Sequence, residues 1–306
     1  MNKKLFHIIL MILFIFFLTG CWGAPQAKPQ LKPKGKIGFL VAETKSARNQ
    51  YLMTQMKKEA THQKLKLFTG DSKLDPKIQE TQIEKMIKEK VQVLIFQPLN
   101  VEETKEQINR LLEKNIKIIL LDFLPLDVTV DAFIAPDYLR AGELQAQFVV
   151  GQGKQVTPYV LKGDPLNYLS DKILQGNKNI LQNNSLVDIF IIREITNKYE
   201  QQSYQSLKNE FDQISPNVLI SHYEEITMGV IKFLKEIAKE QQLMVLSLDI
   251  NQELLPELAK GNLTIVDTMP NLLVTVILET ADSLLNNKTW NYDLQINNGS
   301  ALIPTK

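Results

Sequence analysis

The chain has 306 residues and a net charge of +1, with an isoelectric point near 7.7, which gives no basic field for nucleic acid. Three histidines (His7, His62 and His222) do not build a histidine metal site, and a single cysteine, Cys21, allows no intrachain disulfide. No Ser/Cys/His pattern suggests a nucleophile and Gly151-Gln152-Gly153 lacks the third glycine of a dinucleotide fingerprint, so the chain reads as a non-enzyme without cofactor or metal.

At the start, Lys3 and Lys4 precede an apolar run from Leu5 to Leu18, broken by His7. The run has the length of a signal-peptide core and is short for a membrane span. It ends in Leu18-Thr19-Gly20-Cys21, which resembles the lipobox of bacterial lipoproteins. That resemblance implies a signal peptide over residues 1–20 and a Cys21 thiol carrying diacylglycerol. The mature protein would then be exported and lipid-anchored on the extracytoplasmic face of a bacterial membrane, in the periplasm or at the cell surface. The alternative is an uncleaved anchor with an incidental cysteine. Residues 23–35, GAPQAKPQLKPKG, carry three prolines and three lysines and read as an extended tether. Residues 36–306 remain, enough to bury a sizeable core divided into two lobes.

Lys36–Val41 reads as the first strand, followed by a polar loop and a helix with Leu52, Met56 and Ala60 inward. Leu65–Phe68 is the second strand, with Gly70-Asp71 turning the chain. Asp75-Pro76 starts a helix that faces Ile83, Met86 and Ile87 to the core. Val93–Phe96 is an apolar run without alternation, as a strand buried on both faces should be. Asn100 with Glu103 has capping-box spacing, and Ile108, Leu111 and Leu112 recur at helical intervals. Ile116–Leu121 is the next strand, closed by Asp122. Strand, helix and strand at this spacing make a crossover in a parallel sheet, so Pro98-Leu99-Asn100 and Asp122-Phe123 should sit at a cleft beyond the strand ends. A short strand at Asp131–Ile134 and a helix from Tyr138, with Leu144 and Phe148 inward, complete this half.

A second series follows the Gly151–Gly153 break. Its predicted strands are Val156–Leu161, Val187–Ile192, Val218–Ser221, Met244–Leu248 and Leu263–Val266. Its predicted helices are Asp171–Leu181, Tyr199–Asp212, Glu225–Ile237, Gln252–Lys260 and Asn271–Leu285, the last apolar enough for burial through Leu272, Leu273, Val276, Ile277 and Leu284. Alternating strands and helices split in the middle predict an α/β protein of two similar doubly wound, parallel-sheet (Rossmann-like) lobes with a cleft between them.

Several short stretches, taken in order, carry a further resemblance: Lys36-Ile37-Gly38, Ala47-Arg48-Asn49-Gln50, Glu80–Ile87, Pro98-Leu99-Asn100, Leu121-Asp122 and Gly142–Ala146 after Asp137. Lys162-Gly163-Asp164-Pro165 with Gly176, Ser221–Glu225 with Gly229, Leu248-Asp249 and Thr268-Met269-Pro270 continue it. The series resembles the sugar-binding proteins of bacterial ABC transporters, ribose/xylose type, with a type 1 periplasmic-binding fold, and most the D-xylose-binding branch. The resemblance covers residues 36–306 and is denser in the first half. It implies a three-segment hinge near Asp137, Thr268 and Leu294-Gln295. The lobes would then be 36–136 plus 269–294 and 137–268 plus 295–306. It also implies a monomer that closes on a sugar-like molecule and docks on an ABC permease or a membrane sensor kinase.

The same resemblance places candidate ligand contacts at Arg48, Asn49, Asp122, Phe123, Asp137, Asn167, Tyr223, Asp249 and Thr268, with Lys172 one position from an expected arginine. Departures cluster in the same places. Phe123 and Ile173 stand where the family has arginine, Tyr138 where it has asparagine, and Tyr223-Glu224 where it has Asn-Asp. A pocket that loses guanidinium donors and gains aromatic faces implies a less polar or modified ligand. A protein that signals through a partner instead is the other reading.

Overall fold

The computed structural model describes residues 33–163, 168–196, 199–240, 242–249, 252–268, 270–288 and 301–303. The leader, Cys21, most of the tether, Asn167, Met269 and the expected crossing at residues 294–295 lie outside them. Described residues from Lys34 onward form one compact unit.

The first half alternates β1 (Lys36–Val41), α1 (Ala47–His62), β2 (Lys66–Asp71), α2 (Pro76–Lys88), β3 (Val93–Phe96), α3 (Val101–Glu113), β4 (Lys117–Leu121) and β5 (Ala132–Ile134). These strands form a five-stranded sheet in the order β2-β1-β3-β4-β5, every pair parallel. The second half runs α4 (Tyr138–Gly151), β6 (Pro158–Lys162), α5 (Tyr168–Leu181), β7 (Ile191–Glu194), α6 (Tyr199–Ile214), β8 (Val218–Ser221) and α7 (Glu224–Glu236). It continues with β9 (Met244–Leu248), α8 (Leu255–Ala259), β10 (Thr264–Asp267), α9 (Pro270–Leu285) and β11 (Ala301–Ile303). The second sheet has the order β11-β10-β9-β8-β6-β7, with β11 antiparallel at its edge. Without β11, β7-β6-β8-β9-β10 repeats the winding of β2-β1-β3-β4-β5, so the halves are two copies of one doubly wound unit.

Each sheet is buried on both faces, which is why its strands lack polar alternation. Ile37, Phe39, Val93, Ile95, Ile119 and Leu121 pack under α1 and α9, through Leu52, Met56, Leu273, Ile277 and Ala281. On the opposite face Leu40, Leu94, Phe96 and Ile118 meet Ile83, Met86, Ile108 and Leu111 of α2 and α3. The second sheet is covered by α6 and α7 on one side and by α4 and α5 on the other. The chain therefore leaves the first lobe after β5, returns in α9 and crosses again to reach β11.

Helix starts follow their capping chemistry. Asp75 Oδ1 accepts the N–H groups of Lys77 (2.8 Å) and Ile78 (3.3 Å), with Pro76 in the first turn of α2. Asn100 Oδ1 accepts from Glu103 N–H at 3.0 Å and opens α3. Most strand and helix ends differ from expectation by a residue or two, but several differences have local causes. Gly70 and Asp71 lie inside β2, opposite Leu40 and Val41. The turn comes later, where Lys73 and Leu74 adopt left-handed φ values of 53° and 57°. Leu112 is 46% exposed, because α3 presents Thr104, Gln107, Ile108 and Leu111 to the core and Leu112 lies off that stripe. Leu272 likewise faces outward, and Leu144 and Phe148 flank a buried stripe of Ala141, Gln145, Ala146 and Val149. β7 starts at Ile191, not Val187, which makes only an isolated bridge to Val156. The expected helix over Gln252–Lys260 shortens to α8.

Candidate functional site

Both sheets present an aspartate at the end of an equivalent strand, Asp122 after β4 and Asp249 after β9. Each has a left-handed backbone (φ 66° and 56°), a conformation Asp tolerates better than most residues. Each also donates its N–H to the neighbouring strand, Asp122 to Ile134 O at 3.0 Å and Asp249 to Val266 O at 2.9 Å. Bending the chain in this way puts the carboxylates at the carboxyl ends of the strands, where such sheets bind ligands.

Asp122 is saturated by protein donors. Arg48, on the first turn of α1, forks onto it with Nη1–Oδ2 at 2.9 Å and Nη2–Oδ1 at 2.8 Å. Gln97 Nε2 donates to Oδ2 at 2.7 Å and the Tyr138 hydroxyl to Oδ1 at 3.3 Å. Four donors fill the acceptor sites of a carboxylate. Both partners of the ion pair are nearly out of solvent, with side-chain exposures of 10% and 7%. Burial disfavours the Arg48 charge, but Asp122, with smaller help from Tyr138 and Asp249, holds the guanidinium protonated above its usual range. Its Nε is buried and has no hydrogen-bond partner among the described residues.

Asn49 is spent on structure nearby: its Nδ2 donates to Glu43 O at 2.9 Å and its Oδ1 accepts from Gln97 Nε2 at 3.0 Å. Gln97 Oε1 then accepts Ala42 N–H at 2.7 Å, so one buried amide ties the ends of β1, β3 and β4 together. Gln97 was not among the sequence candidates. Its signal was available: it is the first polar residue after the unbroken apolar run of β3.

From the second lobe, Asp249 accepts Thr268 N–H at 2.7 Å and the Thr268 hydroxyl at 2.8 and 3.0 Å. Burial raises its carboxyl above the usual range, against the pull of Arg48 and Thr268. Glu224, the first residue of α7, accepts Ala47 N–H at 3.1 Å, a contact from the second lobe to the start of α1. Burial, then the charges of Glu225 and Asp249, push its carboxyl up to about 8. Tyr223 stacks on Tyr199 with ring centroids 5.5 Å apart and lies against Gly163, where an added Cβ would stand 2.0 Å from the ring. Tyr138 also joins the site, its hydroxyl raised by burial despite Arg48. The remaining candidates are placed more loosely. Asp137 caps α4 by accepting Arg140 N–H at 2.9 Å, Phe123 is half-buried beside Asp122, and Ile173 is core, packed with Leu248 and Val266.

Behind this surface lies an arrangement invisible in the linear sequence. Ser170 Oγ is 3.1 Å from His222 Nδ1, and His222 Nε2 is 3.0 Å from Asn177 Oδ1. Asn177 Nδ2 donates to Gly142 O and Gln145 Oε1, which fixes its oxygen toward the ring. Nε2 therefore carries the proton and Nδ1 accepts from the serine. The connectivity is that of a nucleophile, base and orienter, but Ser170, His222 and Asn177 are all fully buried, so no electrophile reaches them. Burial, with Lys162 adding, holds the imidazole neutral with a pKa of about 3. Among the described residues no cluster of His, Cys, Asp or Glu could hold a metal, and no helix is long and apolar enough to cross a membrane.

A family model described as "Periplasmic binding protein domain" matches residues 37–289. The ribose import binding protein of Bacillus subtilis is 22% identical over 297 residues, covering 94% of each chain. The D-xylose-binding periplasmic protein of Escherichia coli is 22% identical over 279 residues, covering 89% of this chain and 84% of that one. Among solved structures, a periplasmic solute-binding protein of an ABC transporter from Actinobacillus succinogenes, with bound D-allose, superposes with a TM-score of 0.80. It is 15% identical and covers 89% of this chain and 98% of that one.

Proposed function

The chain belongs to the periplasmic binding protein domain family, and from that premise we propose that it is an extracytoplasmic solute-binding lipoprotein for a sugar-like molecule. Cys21 carries the lipid, and the tether holds the two lobes off the membrane. The hinge runs near Asp137, Thr268 and residues 294–295. Closure of the lobes on the ligand presents one shape to an ABC permease, to which the solute is delivered.

The observation that carries this reading is the convergence of polar and aromatic side chains from the strand ends of both lobes. Arg48, Asp122, Gln97 and Tyr138 form one group and Asp249, Thr268, Glu224 and Tyr223 the other, bridged by Glu224 and Ala47. In this arrangement Asp122 acts by aiming Arg48, while Arg48 Nε and Asp249 are the groups that meet ligand. A sensory protein of the same fold is the second reading, favoured by the full set of protein donors on Asp122, which leaves that carboxylate nothing to offer a free sugar.

A thermal-shift screen of the purified protein against pentoses, hexoses, nucleosides and cyclitols tests the proposal. A ligand at a hundred times its Kd adds about 2.7 kcal/mol, or several degrees. A shift with one sugar class, lost in Asp249→Ala, supports solute binding. No shift with any of them moves the reading to the sensor.

A further inference from the structure

The charges at the strand ends do not balance. Asp122 takes both Nη groups of Arg48. Lys162, at the end of β6, is held by Asp171 at 2.7 Å and Glu194 at 3.5 Å. Among the described residues Asp249 accepts from the N–H and hydroxyl of Thr268, and Glu224 from the N–H of Ala47, all neutral donors. Among the described residues neither carboxylate has an ion-pair partner, and both side chains belong to residues more than nine-tenths buried. Glu225 adds a third acidic group beside them, with Glu43 facing it from the loop before α1. A buried carboxylate without a counter-charge is costly and either protonates or takes a cation. Separately, the unpartnered Arg48 Nε marks a place for an oxygen acceptor in the same electrostatic neighbourhood.

We propose that the ligand of this cleft is an amino sugar, a polyol whose protonated amine is received by Asp249 and Glu224 while one of its oxygens accepts from Arg48 Nε. The proposal rests on the solute-binding reading and sharpens it. A neutral sugar offers these carboxylates only hydroxyls, whereas an ammonium supplies the missing charge together with several donors. Glu224 is then a specificity-determining residue, and Tyr138 and Tyr223 supply the aromatic faces for the ring.

The test is isothermal titration of the purified full chain with D-glucosamine, D-galactosamine and D-mannosamine, each beside its parent hexose, with D-ribose, D-xylose and myo-inositol as further neutral probes. The expected result is one hexosamine bound about tenfold or more tighter than its parent, which is 1.4 kcal/mol. Glu224→Gln, which keeps an oxygen to accept Ala47 N–H, should lower affinity for the hexosamine more than for its neutral parent and so remove that preference. Asp249→Asn is the second variant should the first fail to fold. Titration at pH 6.5 in two buffers of different ionisation enthalpy should show proton release on binding, because Glu224, its carboxyl pushed up to about 8 by burial and then by the charges of Glu225 and Asp249, ionises to meet the ammonium. The release should shrink in Glu224→Gln. If a neutral sugar binds as tightly as or tighter than every hexosamine, the inference is overturned while solute binding stands. Binding of none of the probes overturns both.

Discussion

Removing Asp122 should be among the most damaging single changes in the first lobe, and the reason is Arg48. In Asp122→Ala the guanidinium keeps its buried position but loses two charge-assisted hydrogen bonds, while Gln97 and Tyr138 lose an acceptor each. Breaking a buried ion pair from one side costs about 3–5 kcal/mol. Alanine at a φ of 66° adds roughly another 1 kcal/mol of backbone strain. Asp122→Asn separates the two effects, because asparagine tolerates the left-handed backbone and keeps an oxygen for Gln97 or Tyr138. It still orphans the Arg48 charge, so it should fall short of the alanine cost by roughly the 1 kcal/mol of strain plus what the retained acceptor recovers. The double variant Arg48→Met/Asp122→Asn removes the orphaned charge, so its cost should be smaller than the sum of the singles by about 1–3 kcal/mol. Urea unfolding of the wild type, Asp122→Ala, Asp122→Asn, Arg48→Met and the double variant gives these differences directly, with unchanged m-values required for the comparison. An Asp122→Ala cost below about 1 kcal/mol, or strict additivity in the double variant, would sink the claim that this pair is tightly buried and mutually dependent.

Helix contact makes the next prediction: a Cβ on Gly142 would stand 2.0 Å from Ile173 O, and one on Gly176 2.1 Å from Leu139 O, so backbone must move. Either alanine should cost about 1–3 kcal/mol or more in chemical denaturation, whereas Gly151→Ala, with open space around it, should be neutral or stabilising. Gln107 is buried in α3 with both amide atoms unpartnered among the described residues. Gln107→Leu should stabilise by about 1 kcal/mol in the same assay, and a loss would show that a partner satisfies the amide. The pH response of Glu224 has a defined sign. Its carboxyl is raised in the folded state, from 4.5 to about 8, so the folded protein holds the proton longer and this contribution to stability is complete below 4.5. It is lost as pH rises to about 8, and Glu224→Gln should flatten that limb of the melting-temperature profile. An unchanged slope would show that Glu224 is not desolvated. His222 works in the other direction, losing stability as pH falls from 6.5 toward 3, which is why the difference between the two proteins is the quantity to read.

The architecture was legible because its strands are short, unbroken apolar runs, and each ends in a residue that cannot continue the run. Asp122 and Asp249 could be placed at the strand ends for that reason alone, and Asp75 and Asn100 announce their helices through capping chemistry. What the linear pattern hid was pairing. Nothing in the spacing of Arg48 and Asp122, 74 residues apart, says that they fork onto each other. Nor does it say that four protein donors converge on the Asp122 carboxylate. Ser170 and Asn177 of α5 and His222 after β8 come from two segments brought together by packing and through Gln145 of α4. Glu224 read as a departure, standing where the family has the aspartate of an Asn-Asp pair, and its raised carboxyl depends mainly on burial, with Glu225 and Asp249 adding, which the linear pattern does not show. Leu112 and Leu272 were misjudged because apolar residues on the flank of a stripe look, in one dimension, like members of it.

The return of α9 to the first lobe sets a timetable for the chain. Ile37, Phe39, Ile95 and Ile119 find their covering layer in Leu273, Ile277 and Ala281, more than 200 residues downstream of β1. The half that is synthesised first therefore cannot finish its core until nearly the whole polypeptide is available, and such long-range closure is slow. A fragment ending at residue 268 should accordingly bind a hydrophobic dye and unfold without a sharp transition, while cooperative unfolding of that fragment would contradict this order of events. For a chain that we propose crosses a membrane before it works, late completion keeps the nascent half threadable until it reaches the other side.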